Sequence, residues 1–189
     1  MKVERWNMVE IRFHGRGGQG GVTSAELTAL AAIDEGKYAQ AFPSFGPERR
    51  GAPVTAFVRV SSEAIRTREK VYEPNIVVVL DPSLLQIVNV EAGLRPGGIV
   101  ILNTKKSLEE IRKETGITAR LALVDASKIA IETMRVPITN TTMLGALVKA
   151  TGVIAMDSLR GPIQHRFGPI ADKNMKACAR AFEETTVEG

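Results

Sequence analysis

The chain has 189 residues, 44% of them apolar and 24% charged, with a net charge of +4; that balance fits a globular protein with one good-sized core, and we expect a single domain over residues 1–189. No apolar run reaches the ~18 residues of a membrane span, and the N-terminal MKVERWNM carries charges where a secretory signal would be apolar, so we expect a cytoplasmic protein with no membrane partner. Arginine and lysine are spread along the chain, which argues against a nucleic-acid partner, and one cysteine with two histidines is too few for an internal disulfide, an iron–sulfur cluster or an ordinary zinc site.

Val9, Ile11 and Phe13 alternate with Glu10, Arg12 and His14, the period of a strand with one apolar face. The strand runs into Gly15, Gly17, Gly18, Gly20 and Gly21, where missing Cβ atoms let backbone N–H groups approach a ligand. Val22 to Glu35 reads as a helix with Thr23 or Ser24 as cap, Leu27, Leu30 and Ala31 inside and Gly36 at its end. Tyr38 to Phe42 is a short strand, and SFGPERRGAP, with two glycines, two prolines and two adjacent arginines, is punctuated too heavily for a tight hairpin. Val54, Ala56, Val58 and Val60 return the chain to a strand, paired antiparallel to its neighbour.

Ile76 to Leu80, Ile99 to Leu102 and Leu121 to Val124 are short, apolar and uninterrupted, the pattern of strands covered on both faces. Between them come a short helix from Ser83, a helix opened by the capping box Ser107/Glu110 and stopped at Gly116, and a helix over Ala126 to Met134. Asn140 caps a helix through Ala150 with Leu144, Leu147 and Val148 inside; a last helix runs from about Ile170 to Glu184 with Ala171, Met175, Cys178 and Phe182 on one face. We expect no strand in this last third and a frayed TTVEG tail. The alternation of strand and helix predicts an α/β, Rossmann-like fold: helices on both faces of a mostly parallel sheet with one antiparallel hairpin segment.

Gly15-x-Gly17-x-x-Gly20, between strand and helix, fits a dinucleotide-binding turn, and the positive end of the following helix favours phosphate. The acidic residue that would take ribose hydroxyls is missing, since Gln40 or Ala41 stands in its place, and no Lys-Ser or Lys-Thr follows Gly20 as a nucleotide-hydrolase loop requires. Arg49 and Arg50 suit a phosphate, a carboxylate or a subunit bridge. His14 and Cys178 read as structural, no residue set reads as catalytic, and no metal site is expected. A glycine turn that serves only helix packing, and a nicotinamide-dependent reductase, stay open at this point.

Two stretches are distinctive as a pair: EIRFHGRGGQGGVTSAELTALAA, and GKYAQAFPSFGPERRGAPVTAFVRV with EAIRTREKVYEPNIVVVLDPSLL. With GLRPGGIVILNT and VPITNTTMLGAL they resemble the gamma subunit of the 2-oxoacid:ferredoxin oxidoreductases, most like the pyruvate synthase branch. The resemblance implies a subunit of a heteromeric enzyme, inactive alone. That enzyme converts a 2-oxoacid, coenzyme A and oxidised ferredoxin to acyl-CoA, CO2 and reduced ferredoxin. It further implies alpha, beta and delta partner subunits, thiamine diphosphate in alpha and beta, and iron–sulfur clusters in beta and delta. This subunit would dock coenzyme A and brace the assembly, with contacts drawn from Gly15, Gly17, Gly18, Gln19, Gly20, Ser44, Arg49, Arg50, Asn140 and Lys173. A purely structural subunit that touches no ligand is the other reading.

Overall fold

A computed structural model of the chain describes residues 7–44 and 51–189. Its sheet is built outward from β1 (Met8–Arg16). On one side β1 pairs antiparallel with β3 (Pro53–Ser61), which pairs antiparallel with β2 (Tyr38–Pro43). On the other side β4 (Ile76–Val79), β5 (Ile99–Asn103) and β6 (Arg120–Val124) continue parallel to β1. The order is β2-β3-β1-β4-β5-β6-β7, closed by the short β7 (Thr186–Val187), antiparallel to β6.

The apolar runs sort by the two-residue period of a strand. Ile76, Val78, Ile99, Ile101, Ala122 and Val124 join Ile11 and Phe13 on one face. Packed there are α1 (Gly21–Asp34), α3 (Ala126–Met134), α4 (Asn140–Thr151) and α6 (Ala171–Glu184). Val77, Val79, Val100, Leu102, Leu121 and Leu123 face the other way, against Ile111 of α2 (Leu108–Thr115). Helices therefore cover both faces, as the uninterrupted runs require. No helix among the described residues is long and apolar enough to cross a membrane.

Several local expectations change. The polar face of β1 is buried too, because β1 lies inside the sheet: Glu10 stands directly across from Arg59 and the two form an ion pair at 2.8 Å. α1 is capped by neither Thr23 nor Ser24 but begins after Gly20, and Leu30 is 47% exposed because the inner stripe runs through Leu27, Thr28 and Ala31. The turn after β4, Pro82–Gln86, is a 3₁₀ turn. α4 starts at Asn140 itself, with Thr139 in the cap position. A helix the sequence hid, α5 (Arg160–Phe167), sits between two 3₁₀ turns, Asp157–Leu159 and Gly168–Ile170. The tail is not frayed: β7 docks it, and the Glu188 carboxylate accepts two bonds from Arg112, at 2.7 and 2.6 Å, and one from the Leu121 N–H. The capping box on α2 and the left-handed end at Gly116 form as read.

Candidate functional site

The C-terminal end of β1 is tied down before the loop begins. Gly17 donates to the Ala52 carbonyl at 2.9 Å and accepts from the Gly51 N–H at 3.3 Å. Gln19 folds back, its N–H donating to the Arg16 carbonyl (3.0 Å) and its Oε1 accepting from the Arg16 N–H (2.7 Å). Gly18 (φ 93°) and Gly20 (φ 80°) take the left-handed conformation that a side chain resists. At Gly20 there is also no room, since a Cβ would stand 2.6 Å from Nδ2 of Asn140. Gly15 has no such demand; a Cβ there meets nothing closer than ordinary contact.

These ties leave a row of donors. The N–H groups of Gly18, Gly20, Gly21, Val22 and Thr23 have no acceptor among the described residues. The last three are the first turn of α1, where backbone donors have no partner within the helix, and the positive end of the helix dipole lies with them. The loop, this turn and Val54 line a cleft of about 290 Å³. Donors and dipole of this kind suit an anion. A larger cleft of about 710 Å³ lies between α2 and α3 and presents Lys105, Lys106 and Lys128. There Ser107 and Asp125 already cap both helices, and Glu109, Asp125 and Glu184 match the lysines in number, so it offers an anion nothing net.

Charged side chains flank the loop unequally. Arg16 is engaged: its Nε donates to Asp81 (3.1 Å), its Nη2 to Ser83 (2.8 Å) and its Nη1 to the Gly51 carbonyl (3.0 Å). Asp81 also accepts from Gln19 Nε2 at 2.7 Å. Burial pushes the Asp81 carboxyl up, but bonds from Ser83 and Gln19 and the Arg16 charge outweigh it, leaving the group below the usual carboxylate range. Arg166 of α5 is looser. It stands 3.4 Å from the Thr23 hydroxyl and 3.7 Å from Glu26, 54% exposed, a cation at the mouth of the α1 turn.

Of the residues singled out in the sequence, Gly15 to Gly20 and Asn140 come together. The Asn140 side chain covers Gly20, and the Asn140 carbonyl accepts from the Ser24 hydroxyl at 3.3 Å. Ser44 lies further off; its N–H donates to Thr55, which stands opposite His14 on β3. Lys173 is exposed in the first turn of α6. Its neighbour Asn174 accepts from the Thr141 hydroxyl at 2.7 Å, which sets the start of α6 beside the start of α4. Arg49 and Arg50 lie outside the described residues, next in sequence to Gly51. Arg166 was missed because α5 carries Pro162 and no apolar stripe, and the 143 residues from Thr23 leave no local pattern to find.

Two reactive-looking groups are structural. Burial, and then the charge of Arg12, lower the His14 pKa to about 3; its Nε2 accepts from Arg12 Nε at 2.9 Å, so the ring is neutral. Burial pushes the Cys178 thiol up to about 12, and it donates to the Thr141 carbonyl at 2.8 Å. Neither suits acid–base or nucleophilic work near neutral pH.

Fold and cleft together define an α/β protein with a glycine loop at the C-terminal end of its first strand. The sequence model for pyruvate ferredoxin/flavodoxin oxidoreductase matches residues 10–184, and the chain belongs to that family as a gamma subunit of a 2-oxoacid:ferredoxin oxidoreductase. It is 56% identical over 185 residues to the pyruvate/ketoisovalerate oxidoreductases common subunit gamma of Thermococcus kodakarensis, covering 95% of this chain and 98% of that one. It is 50% identical over 183 residues to pyruvate synthase subunit PorC of Methanothermobacter marburgensis, covering 96% and 100%. The crystal structure of a pyruvate oxidoreductase subunit PORC from Thermotoga maritima superposes with a TM-score of 0.87 at 40% identity, covering 97% of this chain and 100% of that one.

Proposed function

We propose that this gamma subunit docks coenzyme A through the glycine loop and the first turn of α1, within a complex that oxidatively decarboxylates pyruvate or a related 2-oxoacid. In this reading the complex also holds alpha, beta and delta subunits. Thiamine diphosphate sits in alpha and beta, the iron–sulfur clusters in beta and delta, and electrons leave to ferredoxin in the cytoplasm. The present chain, a single domain over residues 1–189, supplies no bond-making group; it holds the thiol-bearing substrate and braces its partners. The observation that carries the reading is the row of five N–H groups without acceptors among the described residues, on residues that line one cleft at a helix N-terminus. Coenzyme A presents a pyrophosphate that such a row receives. Its 3′-phosphate calls for an arginine, and Arg49, Arg50 and Arg166 are the candidates, with Ser44, Asn140 and Lys173 as outer contacts.

A nicotinamide reductase is disfavoured by the topology. After α1 the chain does not place its next strand beside β1 but crosses to the edge strand β2, separated from β1 by the antiparallel β3, and its sequence YAQAFP has no carboxylate for a ribose.

The test uses the assembled complex. Gly20→Val sets a branched side chain against Asn140 at a left-handed position, and the Michaelis constant for coenzyme A should rise at least about tenfold. An assembled variant with an unchanged constant would reduce the loop to a packing element. Methionine at Arg49, Arg50 or Arg166 should raise the same constant by about one to two orders of magnitude at the arginine that binds phosphate, with kcat nearly unaltered. An arginine that bridges subunits instead makes activity fall on dilution whatever the coenzyme A concentration.

A further inference from the structure

The shape of the loop depends on a carboxylate outside it. Asp81 ends the run of β4, on the strand beside β1, and its Oδ1 accepts from the Ser83 N–H at 2.9 Å, which fixes the carboxylate plane at the start of the 3₁₀ turn. Its Oδ2 reaches the other way and takes both Gln19 Nε2 and Arg16 Nε, at 2.7 and 3.1 Å. We propose that Asp81 is a positioning residue for coenzyme A, holding Gln19 and Arg16 so that the backbone donors of the loop point into the cleft. The proposal rests on the coenzyme A reading above and adds a residue to it.

Three features support it. The Gln19 amide is engaged at both ends, Oε1 on Arg16 N–H and Nε2 on Asp81, so Gln19 acts as a brace between loop and sheet. The Arg16 guanidinium is held by Asp81, Ser83 and the Gly51 carbonyl; one carboxylate thereby fixes both the Gln19 amide and a cation that lines the cleft. Finally, a stretch with four glycines in six positions has many conformations to lose, and its N–H groups would turn to nearby carbonyls or water without an external tie. Fixing the donors before the ligand arrives lowers the cost of binding. The bonds to Asp81 are charge-assisted, and its pKa is held down by the same neighbours, so the brace is fully charged near neutral pH.

The experiment compares Asp81→Ala, Asp81→Asn, Gln19→Ala and the Gln19→Ala/Asp81→Ala double variant in the assembled complex, reading KM for coenzyme A, kcat and the thermal midpoint. Asp81→Ala should raise KM about 10- to 100-fold with kcat at saturating coenzyme A within about twofold, since the contact loss is made alike in ground and transition states. Asp81→Asn, which keeps an acceptor, should raise KM by less, and the double variant should be no worse than Asp81→Ala because Gln19 works through Asp81. If Asp81→Ala prevents assembly, the same comparison is read from Asp81→Asn and Gln19→Ala. An unchanged or lowered KM in assembled Asp81 variants, or a lowered thermal midpoint with no change in KM, overturns the positioning role. Failure here with a raised KM in Gly20→Val leaves the coenzyme A reading standing; an unchanged KM in Gly20→Val removes both.

Discussion

Arg59 is 2% exposed, over the ring of Phe42 at 5.1 Å and paired with Glu10, which also meets Arg95 at 3.4 Å. One carboxylate serves two arginines, and Arg59 Nη1 is buried without a hydrogen-bond partner among the described residues, so loss of Glu10 leaves the buried Arg59 charge uncompensated. Four residues further along β1, His14 gives a measurable acid dependence. The folded imidazole stays neutral down to about pH 3 because burial, and then Arg12, oppose its charging, whereas the unfolded chain binds a proton near 6.5. The unfolded state therefore binds more protons across that window: the contribution is complete above 6.5 and erodes as pH falls toward 3. From about pH 7 to about pH 4.5 it should cost roughly 2–3 kcal/mol. Urea unfolding of His14→Gln, which keeps an acceptor for Arg12, should show that much less acid loss; equal acid losses in the two proteins would contradict the assignment. That His14 is structural was readable from its place on a strand. That Glu10 and Arg59 form a pair was not, because cross-strand partners 49 residues apart leave no mark in either segment.

At the scale of elements, α4 and α6 are pressed together at one point. A Cβ on Gly145 would stand 2.0 Å from the Cys178 carbonyl oxygen, closer than any repacking of side chains can relieve. Gly145→Ala should force the helices apart at a cost of at least about 1–3 kcal/mol. The thermal midpoint should drop by several degrees, and a midpoint equal to that of the parent would refute the contact. The parallel strands were legible because burial on both faces writes an unbroken apolar run, and α2 because its capping box is local chemistry. α4 looked amphipathic yet is buried almost all round between the sheet, α1 and α6. α5 and β7 were illegible for different reasons: one holds Gly161 and Pro162 in its first turn, the other is two residues whose docking depends on Arg112 and Leu121.

For the whole molecule, the family and the loop were visible in sequence, since the glycine pattern and the ERRGAP stretch are both local. What folding adds is convergence. Gly20 meets Asn140, Thr23 meets Arg166 and Arg16 meets Asp81, each from a separate part of the chain. Among the described residues the convergence assembles donors and cations but no nucleophile with its base, and the chain by itself, supplied with thiamine diphosphate, pyruvate, coenzyme A and ferredoxin, should show no turnover. Pyruvate-dependent ferredoxin reduction by this polypeptide alone would overturn its assignment as a subunit that depends on its partners. The stem that carries residues 45–50 has a consequence of another kind. Ser44 is fixed to Thr55 on one side, and Gly51 and Ala52 are fixed to Gly17 on the other, so both ends of that segment are anchored by backbone bonds indifferent to side-chain identity. The segment is thus a natural cassette. A relative's six residues grafted between these anchors should leave the sheet as stable as the parent's, an exchange that thermal unfolding of the chimera would check.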